Sequence, residues 1–188
     1  MANTMLLSDA DRAAVIDGIR LVSRGVFRGY APGPIELTET FEVWRFEGIV
    51  TTPEVPFHSR VRFDRRYHHQ IRVNGRASAH AITTHADGEN APWHVMRLGS
   101  SALAGEIDAT LDRLEEAAPG DATVVRLLYA PEYVLTAFWL VEPGNERLWV
   151  IGCPPYLRLI PRREFLSPYA FVAALAREQT EGEPARPR

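Results

Sequence analysis

The sequence predicts an α+β protein: a largely antiparallel sheet with three helices packed on it, in the order helix, several strands, helix, three strands, helix. Three observations carry this. Between Thr123 and Cys153 lie three apolar runs, Val124–Tyr129, Tyr133–Val141 and Leu148–Ile151, rich in β-branched and aromatic residues. Turn chemistry separates them, at Ala130-Pro131-Glu132 and at Glu142-Pro143-Gly144-Asn145-Glu146, which is the pattern of antiparallel strands. Asn74-Gly75 is a second signal, because a two-residue type I′ turn needs positive φ at both positions. The third is that strands come in runs between helical stretches, which argues against a parallel βαβ arrangement.

The first helix should run from about Asp9 to about Arg24. Ser8 and Asp11 make a capping box, and Val15, Ile16, Ile19, Val22 and Val26 fall at helical spacing. Gly25, Gly29 and Ala31-Pro32-Gly33-Pro34 then form a loop. Glu36–Val50 is a long strand candidate, with Phe41 and Val43 on one face and Trp44 and Phe46 on the other. Phe57–Tyr67 and the Asn74-Gly75 hairpin continue the sheet, and Trp93–Leu98 adds a short strand. The second helix opens at Ser100 or Ser101, buries Leu103, Ile107, Leu111 and Leu114, and stops before Pro119-Gly120. The middle run of the Thr123–Cys153 stretch is apolar at nearly every position, as in a central strand covered on both faces. Ser167 then caps a last helix with Pro168 at its first position, docked through Phe171, Val172 and Leu175. Residues 1–179 read as one domain, and the tail 180–188, TEGEPARPR, reads as disordered.

With 188 residues and a net charge of −3, the chain offers no global reason to bind nucleic acid or a membrane. No apolar run is long enough to cross a bilayer, and the N-terminus lacks a signal-peptide pattern; a cytoplasmic location is expected. The lone Cys153 excludes an intrachain disulfide and an all-cysteine metal site. All 21 Lys or Arg residues are Arg. That rules out a Lys Schiff base, a pyridoxal-phosphate anchor and a P-loop Lys, and it points to a GC-rich bacterial genome.

All six histidines lie between His58 and His94, among Arg60, Arg62, Arg65, Arg66, Arg72 and Arg76. The hairpin turn predicts a register in which Val73 opposes Arg76, Ile71 opposes Ser78, His69 opposes His80 and Tyr67 opposes Ile82. Tyr67, His69, Ile71, Val73, His80 and Ile82 then share one face. Cross-strand His69 and His80 are the candidate metal ligands, with His58, His94 or Asp64 to complete a site. Against this stands a half-buried pair of histidines bonded to backbone and water. Arg60, Arg62, Arg65, Arg66, Arg72 and Arg76, with Tyr67, form the candidate surface for a partner or an anion such as phosphate or single-stranded nucleic acid. The rival reading is a salt-bridged exposed face. Cys153, at the end of the last central strand, supplies a thiol without any flanking nucleophile motif, and a single Cys more often serves as a small buried hydrophobe.

No Gly-rich phosphate loop, Gly-x-Ser-x-Gly elbow or paired-carboxylate motif appears. The reading that follows is a non-catalytic bacterial accessory or adaptor protein that binds another protein or peptide, without a cofactor. A surplus of aromatics (Trp44, Phe46, Trp93, Trp139, Trp149) is available to line an interface, and self-association is another use for it. A metal- or small-ligand-binding enzyme built on the histidine hairpin and an anion or nucleic-acid binder built on its arginines are the alternatives.

Overall fold

The computed structural model describes residues 4–23, 34–86, 91–99, 101–117 and 123–181. The expected Gly25–Pro34 loop lies almost wholly outside these residues, as do the Pro119-Gly120 stop and most of the expected disordered tail. Among the described residues there are three α-helices, α1 (Asp9–Val22), α2 (Ser101–Ala117) and α3 (Pro168–Thr180). There are seven strands, β1 (Ile35–Phe46), β2 (Val61–Val73), β3 (Arg76–His85), β4 (Trp93–Gly99), β5 (Val124–Ala130), β6 (Leu135–Glu142) and β7 (Asn145–Gly152). They form one sheet in the order β4-β3-β2-β1-β5-β6-β7, antiparallel except for one pair. The fold is α+β.

The helix ends follow the caps read from the sequence. Ser8 Oγ accepts from the Asp11 N–H at 3.1 Å, and Ser167 Oγ accepts from the Ala170 N–H at 3.1 Å, each satisfying a donor that the first helical turn leaves open. Between β5 and β6 the chain departs from expectation. Tyr133 is not in a strand but ends a short 3-10 turn, Pro131–Tyr133, and its buried hydroxyl accepts the Val50 N–H at 2.7 Å.

The residues group into two compact units, and β1 and β2 contribute to both. Unit 1 comprises Met1–Val43 and Arg65–Asp121; unit 2 comprises Trp44–Asp64 and Ala122–Arg188. In unit 1, α1 packs against β4 and α2 against β3. Val15 and Ile19 of α1 join Leu37, Ile71, Val73, Ala79, Ala81 and Trp93 in one apolar cluster. In unit 2, α3 packs against β7 and the 3-10 turn Phe57–Ser59. Phe171 meets Phe46 edge-on at 5.7 Å and Phe57 at 6.2 Å, the arrangement that aromatic quadrupoles favour. The loop before α3 is tied down by Glu178, whose carboxylate accepts the N–H groups of Leu159 and Ile160.

The Asn74-Gly75 turn forms as expected, with φ of 53° and 72°, and Val73 opposes Arg76. Beyond it the predicted register fails. Arg72 pairs with Ala77, but Ile71 pairs with Ala79, so Ser78 is an extra residue, a β-bulge. From there on the pairs are Gln70 with His80, His69 with Ala81 and Tyr67 with Thr83. A one-residue slip turns every later side chain to the other face.

Candidate functional site

Unit 1 contains a layer of polar side chains within its core. His68, His69, Gln70, His80, Thr40 and Thr83 are all buried. Because of the bulge, His80 shares a face with His68 and Gln70, while His69 lies on the opposite face. The sequence-predicted metal pair, His69 and His80, is therefore not brought together. Among the described residues, no three His, Cys, Asp or Glu side chains converge as metal ligands.

On the face toward α2, the His68 and His80 rings stack at 4.8 Å, 14° from parallel, and Phe41 lies 6.0 Å from His68. Gln70 donates from Nε2 to the Ala104 carbonyl at 2.8 Å. That fixes its amide orientation and turns Oε1 toward His68 Nε2 at 3.2 Å. An amide oxygen only accepts, so His68 carries its proton on Nε2 and a bare lone pair on Nδ1. His68 Nδ1 is buried without a hydrogen-bond partner. The His80 ring occupies the space beside Gly99, where a Cβ would fall within van der Waals contact of the ring and 2.8 Å from Nδ1. Gly99 is thus required by the close approach of the imidazole rather than by a turn.

On the face toward α1, His69 is held at both nitrogens: Nδ1 lies 3.0 Å from Thr40 Oγ1 and Nε2 2.7 Å from Thr83 Oγ1. Trp93 meets it edge-on at 5.6 Å and donates from Nε1 to Asp11 of α1 at 2.9 Å. Burial holds both histidines neutral. It pushes His69 down to about 4 and, with help from the neighbouring His80, pushes His68 down to about 3. Neutral, closed-in imidazoles of this kind act as structural groups at neutral pH.

The arginines are divided between the two units. Arg60 and Arg62 belong to unit 2, Arg65, Arg66, Arg72 and Arg76 to unit 1. Arg72 spends its guanidinium on Asp108 of α2, with contacts of 2.9 and 3.0 Å, and this pairing raises its already high pKa. Arg62 pairs with Glu47 at 3.2 Å, and Arg60 donates to the Glu47 carbonyl. Arg65, Arg66 and Arg76 are exposed, and Tyr67 is half-buried against Trp93 at 5.0 Å. Arg126 and Arg147 are held by aromatic rings. The Arg126 guanidinium lies 4.4 Å from Trp44 and 4.9 Å from Trp139; Arg147 lies over Phe165 and bonds Glu142 at 2.8 Å.

Cys153 is half-buried against the unit 2 core. Burial pushes its thiol up, an effect that Arg162 only partly offsets; a protonated thiol is a poor nucleophile. The one histidine of unit 2, His58, faces Trp139 at 5.9 Å and Glu146 at 3.3 Å.

Sequence reasoning missed a surface feature of unit 2. The outer side of α3 and the segment after β1 enclose an open groove of about 230 Å³, lined by Thr51, Pro53, Tyr169, Ala173, Ala176, Arg177 and Thr180. Tyr169 is 68% exposed. The available signal was Tyr169 itself, which stands beside the buried Phe171 but off the apolar stripe of α3. Compared with known proteins, the chain matches no family model, no curated protein and no solved structure.

Proposed function

We propose that the chain is a non-catalytic accessory protein, acting in a bacterial cytoplasm, that binds another protein or peptide through the open groove along α3. The observation that carries the reading is the exposed Tyr169 on a largely apolar groove. A Tyr ring offers a large, rigid contact area with a polar tip, which is why it is enriched at interfaces. The volume of about 230 Å³ suits one or two partner side chains rather than an enclosed small molecule. The chemistry elsewhere supports the choice. Burial favours the protonated thiol of Cys153, and His68 and His69 lie on opposite faces of the hairpin in neutral form. Arg62 and Arg72 are engaged by Glu47 and Asp108, which favours the salt-bridged reading of the arginines over anion capture.

The test is site-specific photo-crosslinking in the source cells, with the crosslinking side chain placed at Tyr169 or, as a control, at the exposed Arg20 of α1. A discrete adduct from position 169 alone, lost when Ala173 is changed to Glu, is the expected result. Equal adducts from both positions, or none from 169, would refute the proposal.

A further inference from the structure

The buried histidine layer has a property that neither its packing role nor the groove uses. Two of its bases, His68 and His69, are enclosed at 1% and 0% exposure, so proton uptake by either favours an opened unit 1. On the face toward α2, the groups around His68 are Gln70 of β2, His80 of β3, Phe41 of β1, the Ala104 carbonyl of α2 and the Arg72–Asp108 pair. Asp108 serves the Arg72 guanidinium, with Glu39 and Asp112 as further acids around that arginine. On the face toward α1, His69 meets Thr40 of β1, Thr83 of β3 and Trp93 of β4. Asp11 of α1 is committed to Ser8 and to the Trp93 indole, with His85 close by. Among the described residues, no carboxylate bonds the ring nitrogens of His68 or His69.

We propose that this layer is an acid-operated latch: mild acidification opens unit 1 reversibly, while unit 2 keeps its structure. Three geometric facts support it. A proton on His68 Nδ1 would create a buried N–H with no acceptor in reach. A charge on either ring of the stacked pair would sit 4.8 Å from its neighbour. The only histidine of unit 2, His58, is 62% exposed and lies 3.3 Å from Glu146, outside any buried layer.

The sign follows from linkage. In the opened chain His68 and His69 titrate near their ordinary value of about 6.5, whereas in the closed unit they do so only at about 3 and about 4. The closed state is therefore fully favoured above about pH 6.5 and loses ground as pH falls between those limits. Each titrating histidine raises the opening constant about tenfold per pH unit, so His68 and His69 together raise it about a hundredfold.

Pulsed hydrogen exchange of the full chain measures this, with incubation between pH 7.5 and 4.5 and labelling at one fixed pH. Peptides from β2, β3 and β4 should lose protection about a hundredfold per unit between pH 6 and 5 and regain it on neutralisation. Peptides from β6 and β7 should keep theirs over the same range. A change of less than tenfold per unit in β2 and β3, or loss in β6 and β7 at the same pH, would overturn the proposal. His69→Gln keeps two polar contacts without a titrating base, and it should lower the slope by about one proton. If that variant does not fold at pH 7.5, the wild-type slope alone decides. Asp108→Asn separates carboxylate titration from the latch: it should weaken unit 1 at all pH values and leave the slope unchanged, whereas a slope reduced by one proton would assign the effect to Asp108.

Discussion

Gly99 gives the sharpest mutational test of the stacked pair. Changing Gly99 to Ala places a methyl group in the volume of the His80 ring. The β4 backbone is held by pairing to β3, with His80 directly opposite Gly99, so the imidazole is the group that must yield. Its displacement breaks the contact with His68 and forces either a strained rotamer or a shift of the strand. Overpacking of a close-packed core costs about 1–3 kcal/mol, and disturbing a buried polar group adds about 1–3 kcal/mol. A loss of about 2–6 kcal/mol is expected for Gly99→Ala. In a His80→Ala background the same change meets no ring, and Ala in a strand is better than Gly by up to about 1 kcal/mol. The double-mutant coupling should therefore be about 2–7 kcal/mol in favour of the native pair, far above the few tenths found for independent sites. Urea denaturation of the four proteins at pH 7.5, read by circular dichroism, measures it. A coupling under about 0.5 kcal/mol would refute the claim that His80 occupies the space Gly99 leaves.

Other expectations concern unit 2. Tyr133→Phe removes the acceptor of the Val50 N–H and leaves a buried donor unpaired, costing about 1–3 kcal/mol; a denaturation midpoint equal to wild type would show that the bond contributes nothing. Val134 adopts φ of 52° while 58% exposed, a conformation unfavourable to a β-branched residue. Val134→Asn should therefore stabilise by about 0.5–1 kcal/mol, seen as a rise in Tm, and a fall would contradict the strained geometry. Cys153, held as a thiol by burial, should react with a disulfide reagent at pH 7.5 at least about tenfold more slowly than an unburied cysteine. Equal rates would show the site to be open.

Much of the fold was legible because local chemistry and tertiary burial agree there. Ser8 and Ser167 announce helix starts by their hydroxyls, Asn74-Gly75 announces its turn by backbone freedom, and the apolar runs after Thr123 become β5 to β7. The hairpin register was not legible beyond Arg72. It depends on one extra residue, Ser78, whose identity carries no bulge signal. The outcome is set instead by which partners the faces find: Ala79 and Ala81 are small enough to lie in the α1 cluster, and His80 fits the hollow at Gly99. From that single slip came the mistaken pairing of His69 with His80. The aromatic surplus was visible in the sequence, but its use for Trp44 and Trp139 was not, because Arg126 and Trp139, opposite each other on β5 and β6, meet Trp44 of the distant β1. The groove along α3 was invisible for a related reason, since Thr51 and Pro53 meet Tyr169 only once the chain is folded.

The interleaving of the two units has a consequence for how the chain emerges from the ribosome. Every segment of unit 1 lies within the first 121 residues, so its histidine layer and both of its helices can assemble early. The hairpin of unit 2, Trp44–Asp64, is synthesised before its partners, which begin at Ala122. At about 5–20 residues per second, Phe46, Val50 and Phe57 wait several seconds for Tyr133, Leu148 and Phe171 to be made. During that interval a stretch with three large apolar side chains and no core of its own is the part of the nascent chain most in need of a chaperone. Slowing translation after Asp121 should raise aggregation of the nascent chain, whereas slowing it before Trp44 should not.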